Sequence, residues 1–245
     1  MPNHQSPMRI GILGGTSHVI TSTYYEIINA LANERLGGAH IAETIIAGMN
    51  FGRIAEDIAD DAWDRFADYV ADHVDRLEAA GAELIIGTSN TTHQIMGKVM
   101  AGRDVPYLPI TQPLIAALKT SGISRVALFG TQTTMGGGVV MQEVAQATGI
   151  DIIVPSAEER NDIHRVIFDE LVNHQFTRSA RERYVEIAHR LSRDEGADGL
   201  ILGCTEIMLL IDQQDIPELP VFATARLHCE AAVAMAFGDL SPASP

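Results

Sequence analysis

Positive charge is scarce in this chain: 17 lysines and arginines stand against 32 aspartates and glutamates in 245 residues, a formal net charge of −15. That balance argues against nucleic acid or an anionic membrane as partner, because both are held through a basic footprint. Cysteine is scarcer still. Cys204 and Cys229 are the two; their spacing matches no zinc motif, no metal site is indicated, and in a reducing compartment both are expected as free thiols. Lysine is limited to Lys98 and Lys119, and neither lies in a pyridoxal-phosphate setting, so chemistry without a cofactor is the simpler expectation. No apolar run approaches the ~18 residues of a membrane span. The opening stretch "MPNHQSPMRI" lacks the basic and apolar regions of a signal peptide, and a cytoplasmic location is expected.

What is present is the composition of a globular protein, 46% hydrophobic and 20% charged. Apolar runs alternate with helical periodicity. Strands are expected at "RIGILG" (9–14), "HIAETIIAG" (40–48), "ELIIG" (83–87), "YLPI" (107–110), "RVALFG" (125–130), "IDIIV" (150–154), "GLILG" (199–203) and "LPVF" (219–222). Between them, Trp63, Phe66, Val70, Val74 and Leu77 recur at steps of three and four and Gly81 ends the run. Ser156 and Glu159 form a capping box ahead of Ile163, Ile167 and Leu171. Cys229 falls in an alanine-rich helical stretch and reads as a buried, inert thiol. Strand, helix, strand in this rhythm predicts an α/β fold with mostly parallel sheets covered on both faces.

The landmarks occur twice. "RIGILGGT" from Arg9 matches "RVALFGTQ" from Arg125, "GAE" from Gly81 matches "GAD" from Gly196, and "VPYLPI" from Val105 matches "IPELPV" from Ile216. Three matches in one order imply two similar halves, expected as residues 1–110 with 215–245, and residues 111–214. Anchored on the glycine-alanine-acid triplets, the pairing sets Ser89 opposite Cys204, Asn90 opposite Thr205 and Thr91 opposite Glu206; a slip of one residue would set Thr88 there instead.

Ligands of open α/β sheets bind beyond the carboxyl ends of the strands. Four loops qualify: "GGTSHVI" (14–20), "GTSNTTH" (87–93), "GTQTTMGGG" (130–138) and "GCTEI" (203–207). Facing halves would gather them around a cleft suited to a small polar ligand. "GILGGTS" lacks the GxGxxG spacing and "GTQTTMGGG" lacks the lysine of a phosphate loop, so nucleotide binding is a weak reading. Cys204, at a strand end ahead of a short run that could be helical, stands where a helix dipole favours thiolate. An effect of about 2 kcal/mol would bring it to roughly half ionised near neutral pH. Ser89, Asn90 and Thr91 serve equally as caps for the following helix. His93 reads either as a first-turn surface residue or as a catalytic one, and Glu206 either as a cap partner or as an acid.

"GILGG", the "SNT" turn, Thr131 after Gly130, "VPSAEERNDIHRVIFDEL", "GCTEI" and "LPVFATARLH" together resemble the aspartate/glutamate racemase family, over nearly the entire chain. The resemblance implies two Rossmann-like αβα domains related by a pseudo-twofold axis, an active site in the cleft between them, and a homodimer. It also implies racemisation of acidic amino acids by two bases, with no cofactor. The family's first turn is cysteine, asparagine, threonine; here Ser89 replaces the cysteine while Asn90 and Thr91 match, and Cys204, Thr205 and Glu206 match the second turn. An alkoxide is far harder to form than a thiolate. The chain therefore resembles an L-biased, single-cysteine branch in which Cys204 takes the α-proton of the L-enantiomer and Ser89, directly or through a water, returns one. Thr16, Ser17, Asn50, Asn90, Thr91, Thr131, Thr134, Thr205 and Glu206 are the implied substrate contacts. Asp162 stands where a lysine is expected, so either Arg53, Arg160 or Arg165 supplies the cation or the ligand has no second carboxylate. Two rival readings remain: a single-thiol decarboxylase or isomerase resembling arylmalonate decarboxylase, favoured mildly by Val19 and Ile20, and a non-catalytic protein that binds a small acid.

Overall fold

The computed structural model describes residues 6–240. They divide into two compact units, one of residues 6–88, 95–109 and 228–240, the other of residues 89–94 and 110–227.

In the first unit β1 (Ile10–Gly14) lies between β2 (Thr44–Gly48) and β3 (Leu84–Gly87), all parallel. Helices α1 (His18–Leu36), α2 (Phe51–Ala59), α3 (Trp63–Ala79) and α4 (Asn90–Met100) follow the strands, the first turn of α4 belonging to the other unit. Strands β1 and β3 are buried along their whole length, as runs of Ile, Leu and Gly require when both faces are covered. On α3 the residues picked out by periodicity, Phe66, Val70, Val74 and Leu77, are fully buried, and Gly81 ends the turn with φ 88°. Gly15 (φ 89°), just after β1, leaves a side chain no room: a Cβ would lie 2.1 Å from the Met49 carbonyl oxygen.

The second unit repeats the plan. After α5 (Thr111–Ser121) comes β4 (Arg125–Phe129), then α6 (Gln132–Met135), α7 (Val139–Thr148), β5 (Asp151–Ile153), α8 (Ala157–Asp169), α9 (Arg178–Glu195), β6 (Gly199–Leu202) and β7 (Val221–Ala223). Its parallel sheet runs β5-β4-β6-β7. The expected capping box opens α8: Ser156 accepts from the Glu159 amide and Glu159 from the Ser156 amide. Last is α10 (Thr224–Ala236), in which Cys229 is 0% exposed.

Two expectations shift. "YLPI" is no strand: Tyr107 makes one parallel bridge to Ile85, and Pro106 and Pro109 have no N–H with which to extend a ladder. Residues 215–227, expected with the first half, lie in the second unit, where Val221, Phe222 and Ala223 pair with β6. The two corrections agree with each other, because Tyr107 beside Ile85 occupies the place that Val221 holds beside Leu200.

Candidate active site

Ladder register settles which turn residues correspond. Leu13 pairs with Gly87 in one sheet and its counterpart Phe129 pairs with Leu202 in the other. Two residues beyond each strand stand Ser89 and Cys204, with Thr88 matching Gly203, Asn90 matching Thr205 and Thr91 matching Glu206. The glycine-alanine-acid anchoring is the correct one.

Both turns belong to the second unit, and a side chain joins them. Asn90, 5% exposed, donates through Nδ2 to the Gly203 carbonyl oxygen at 2.8 Å and to Thr224 Oγ1 at 3.3 Å. Thr224 in turn donates to the Leu202 carbonyl oxygen at 2.9 Å. Asn90 Oδ1 is buried and has no hydrogen-bond partner. Such an orphan acceptor costs about 1–3 kcal/mol unless something fills it. Thr224 was not among the expected site residues, although its place directly after a strand that ends beside β6 was a usable signal.

Ser89 is half-buried; its hydroxyl oxygen accepts the Thr91 amide at 3.2 Å, so the capping role expected of this turn falls to it. That bond uses an oxygen lone pair and leaves the hydroxyl proton to be donated elsewhere. His93, one turn on, is half-buried rather than on the surface: its Nδ1 donates to the Ser89 carbonyl oxygen at 2.7 Å, and burial depresses its pKa from 6.5 to about 4. The ring is neutral at pH 7.

Cys204 is half-buried and extended (φ −106°, ψ 130°) at the end of β6. The helix expected after it is a 3-10 turn of five residues, Thr205–Leu209, whose few peptide dipoles sum to little. Its Sγ donates to Glu206 Oε2 at 3.1 Å, and Thr205 Oγ1 donates to the same oxygen at 3.1 Å. Burial first, and the Glu206 charge second, push the thiol well above its ordinary range; the backbone N–H groups of Thr205 and Glu206 offset this only in part. This runs against the expectation of a half-ionised Cys204 near neutral pH. The carboxylate that adds to the effect of burial lies two residues away in sequence but folds back onto the sulfur.

The remaining expected contacts divide between the units. Thr131 caps α6, accepting the Thr134 amide at 3.3 Å, and the two hydroxyls lie 3.0 Å apart. The Thr134 side chain packs against the Gly130 and Gly203 backbone, where a Cβ on either glycine would meet it at 3.0 and 3.3 Å. Thr16, Ser17 and Asn50 belong to the first unit. There Thr16 Oγ1 lies 3.2 Å from Thr88 Oγ1, Ser17 caps α1 by accepting the Ile20 amide, and Asn50 caps α2 by accepting the Gly52 amide. Val19 and Ile20 are 2% and 0% exposed core residues of α1, which removes their support for an apolar-substrate enzyme.

Asp162 does not stand as an uncompensated anion. Arg183 grips its carboxylate from Nε at 3.0 Å and Nη2 at 2.9 Å. Of the candidate cations, Arg53 lies over the Tyr69 ring at 4.0 Å and Arg165 is exposed. Arg160 has a buried Nε without a hydrogen-bond partner. It sits on α8 beside Asn161, whose side chain is bonded to Gln132 of the β4 turn at 2.7 Å.

The sequence pattern of the Asp/Glu/hydantoin racemases matches residues 13–232. Among solved structures, a "putative Asp/Glu Racemase" from Yersinia pestis is 33% identical, with 94% of this chain and 99% of that one covered at a TM-score of 0.84. An aspartate racemase homologue from Pyrococcus horikoshii OT3 is 30% identical, with 94% and 99% covered at 0.82. The Picrophilus torridus aspartate racemase, 22% identical with 93% and 94% covered at 0.72, shares the fold. Among the described residues no helix is long and apolar enough to cross a membrane.

Proposed function

Since the chain belongs to the Asp/Glu/hydantoin racemase family, a family of isomerases, we propose that it is a cofactor-independent racemase of acidic amino acids biased toward L-enantiomers. Cys204 removes the α-proton. Ser89, directly or through a water, delivers one to the opposite face. The observation that carries this reading is the 2.8 Å bond from Asn90 to the Gly203 carbonyl, which fixes the serine turn against the cysteine turn. Asn90 Oδ1 accepts from the substrate ammonium, which answers its lack of a partner. Arg160, with its unpaired buried Nε, meets the second carboxylate and stands in for the lysine that Asp162 replaces. Thr131, Thr134 and Thr205 supply hydroxyls around the same strand ends.

The asymmetry between thiol and alcohol sets the bias. A sulfur base titrates within a few units of neutrality, whereas an alcohol does not. Proton removal is therefore easier on the Cys204 side than on the Ser89 side, and return through Ser89 is the slow step. The test is α-hydrogen exchange of L-glutamate and L-aspartate in heavy water, followed by proton NMR. Exchange of the L-forms faster than inversion, with the D-forms nearly inert, is the expected result. Absence of exchange with any L-amino acid would overturn the reading.

A further inference from the structure

A base whose pKa is raised by burial and by its own neighbour needs a place to leave its proton. Cys204 Sγ–H points at Glu206 Oε2 across 3.1 Å, and Glu206 is 5% exposed. Two negative charges at that distance in a buried setting strongly disfavour each other, so the pair tends to hold one proton between its two members. It has two arrangements, thiol beside carboxylate and thiolate beside carboxylic acid, and only the second can take a proton from carbon.

We propose that Glu206 is a catalytic residue, the acceptor of the Cys204 proton, so that thiol and carboxylate work as a dyad. This rests on the racemase reading above. As the reaction starts, the Sγ–H bond breaks and an O–H bond forms on Glu206 Oε2. The thiolate then takes the α-hydrogen, the S–H bond re-forms, and the electron pair of the broken C–H bond stays on the substrate. The dyad's single negative charge has moved to the substrate and the site's total charge is unchanged. When Cys204 returns a proton to carbon, the thiolate left behind takes back the Glu206 proton and exchange is complete; in inversion the Ser89 side gives the proton to carbon, Cys204 keeps the α-hydrogen, and Glu206 releases its proton through solvent to the oxygen that lost one.

Three features fit this assignment. The backbone N–H groups of Thr205 and Glu206 act on the sulfur in the direction that favours its anion, supplying the transient thiolate with donors. Thr205 Oγ1 donates to Oε2, the same oxygen that faces the sulfur, which fixes the carboxylate plane. The unpaired Asn90 Oδ1, beside Gly203, marks this strand end as a place built to receive a polar group. Tyr184 of α9 also feels the Cys204 charge; its hydroxyl donates to the Ile163 carbonyl at 2.9 Å and burial keeps it neutral.

The experiment compares the full-length protein with Glu206→Gln and Glu206→Asp in two assays. One is α-hydrogen exchange with L-glutamate in heavy water, resolved into kcat and KM. The other is Cys204 alkylation by iodoacetamide between pH 6 and 9, read by peptide mass spectrometry so that Cys229 is scored separately. The two should move in opposite directions. Removing the charge lowers the thiol pKa, so Glu206→Gln is alkylated about tenfold faster at pH 7. The same variant loses about a hundredfold in kcat with KM within a factor of about three, the scale of a lost proton acceptor. Glu206→Asp regains part of kcat. A merely structural carboxylate would lower both rates together or change neither, and either outcome overturns the proposal. If the unaltered protein exchanges no L-amino acid, the racemase reading fails by itself. The alkylation arm then decides: an unmoved pH profile in Glu206→Gln sinks the dyad, and a profile shifted to lower pH upholds the coupling.

Discussion

The turn after β3 and the turn after β6 hold the same place in the two sheets and solve different problems. Thr88, fully buried, has its hydroxyl 3.2 Å from Thr16 and anchors the first turn through a side chain. Its counterpart Gly203 anchors through backbone alone, donating to the Phe129 carbonyl oxygen at 2.7 Å. A Cβ there would meet Leu128 at 2.6 Å. Beyond them, Ser89 leads into the eleven-residue helix α4, whereas Cys204 leads into five residues of 3-10 turn. The tightly packed, short turn carries the sulfur, and the capped helix carries the alcohol. The duplicated frame thus conserves position, while chemistry is decided by what folds back onto each position.

The comparison breaks most visibly if one member of the pair is removed. Cys204→Ala is expected to lower α-hydrogen exchange of L-substrates by about a thousandfold or more, with the melting temperature little changed. Ser89→Ala should retain exchange within about tenfold and lose inversion, which NMR and chiral chromatography would separate. Equal loss of both activities in the two variants would erase the distinction between the turns.

A backbone contrast comes next. Gly15 and Thr131 are counterparts after β1 and β4, yet Gly15 has φ 89° and no space for a Cβ, whereas Thr131 is an ordinary helix cap. Gly15→Ala should destabilise the protein by about 3 kcal/mol, seen in urea denaturation.

His93 sharpens the contrast through pH. Its folded pKa is depressed from 6.5 to about 4, so its neutral form stabilises the fold fully above pH 6.5. That contribution is lost as pH falls toward 4, a cost reaching on the order of 3 kcal/mol. The matching position in the other turn is Met208, which does not titrate. His93→Gln should therefore flatten the fall in melting temperature between pH 6.5 and 4. The smallest effect on stability belongs to Thr131→Ala, about 1 kcal/mol for a lost cap, seen in urea denaturation.

How much of this was legible in the sequence follows from what each feature depends on. Strands buried on both faces announce themselves as short Ile, Val and Leu runs, and the capping box of Ser156 and Glu159 is a local spacing, so both were readable. "YLPI" misled because its apolar residues carry the strand pattern while Pro109 within it and Pro106 just before it deny the ladder. The charge state of Cys204 was misread because the sequence offers a strand end and a following apolar run, the ingredients of a helix dipole, but not a carboxylate curling back within 3.1 Å. Asp162 looked like a misplaced anion because its partner Arg183 lies 21 residues away on another helix. Sequence patterns report periodicity well and through-space pairing poorly.

The grip of Asn90 falls on a main-chain oxygen rather than on the thiol next to it. The clamp is thus indifferent to which side chains occupy 89 and 204. Those two seats behave as sockets in a fixed mount, so reagents could be swapped in either one, serine for cysteine or the reverse, without rebuilding the frame that aims them.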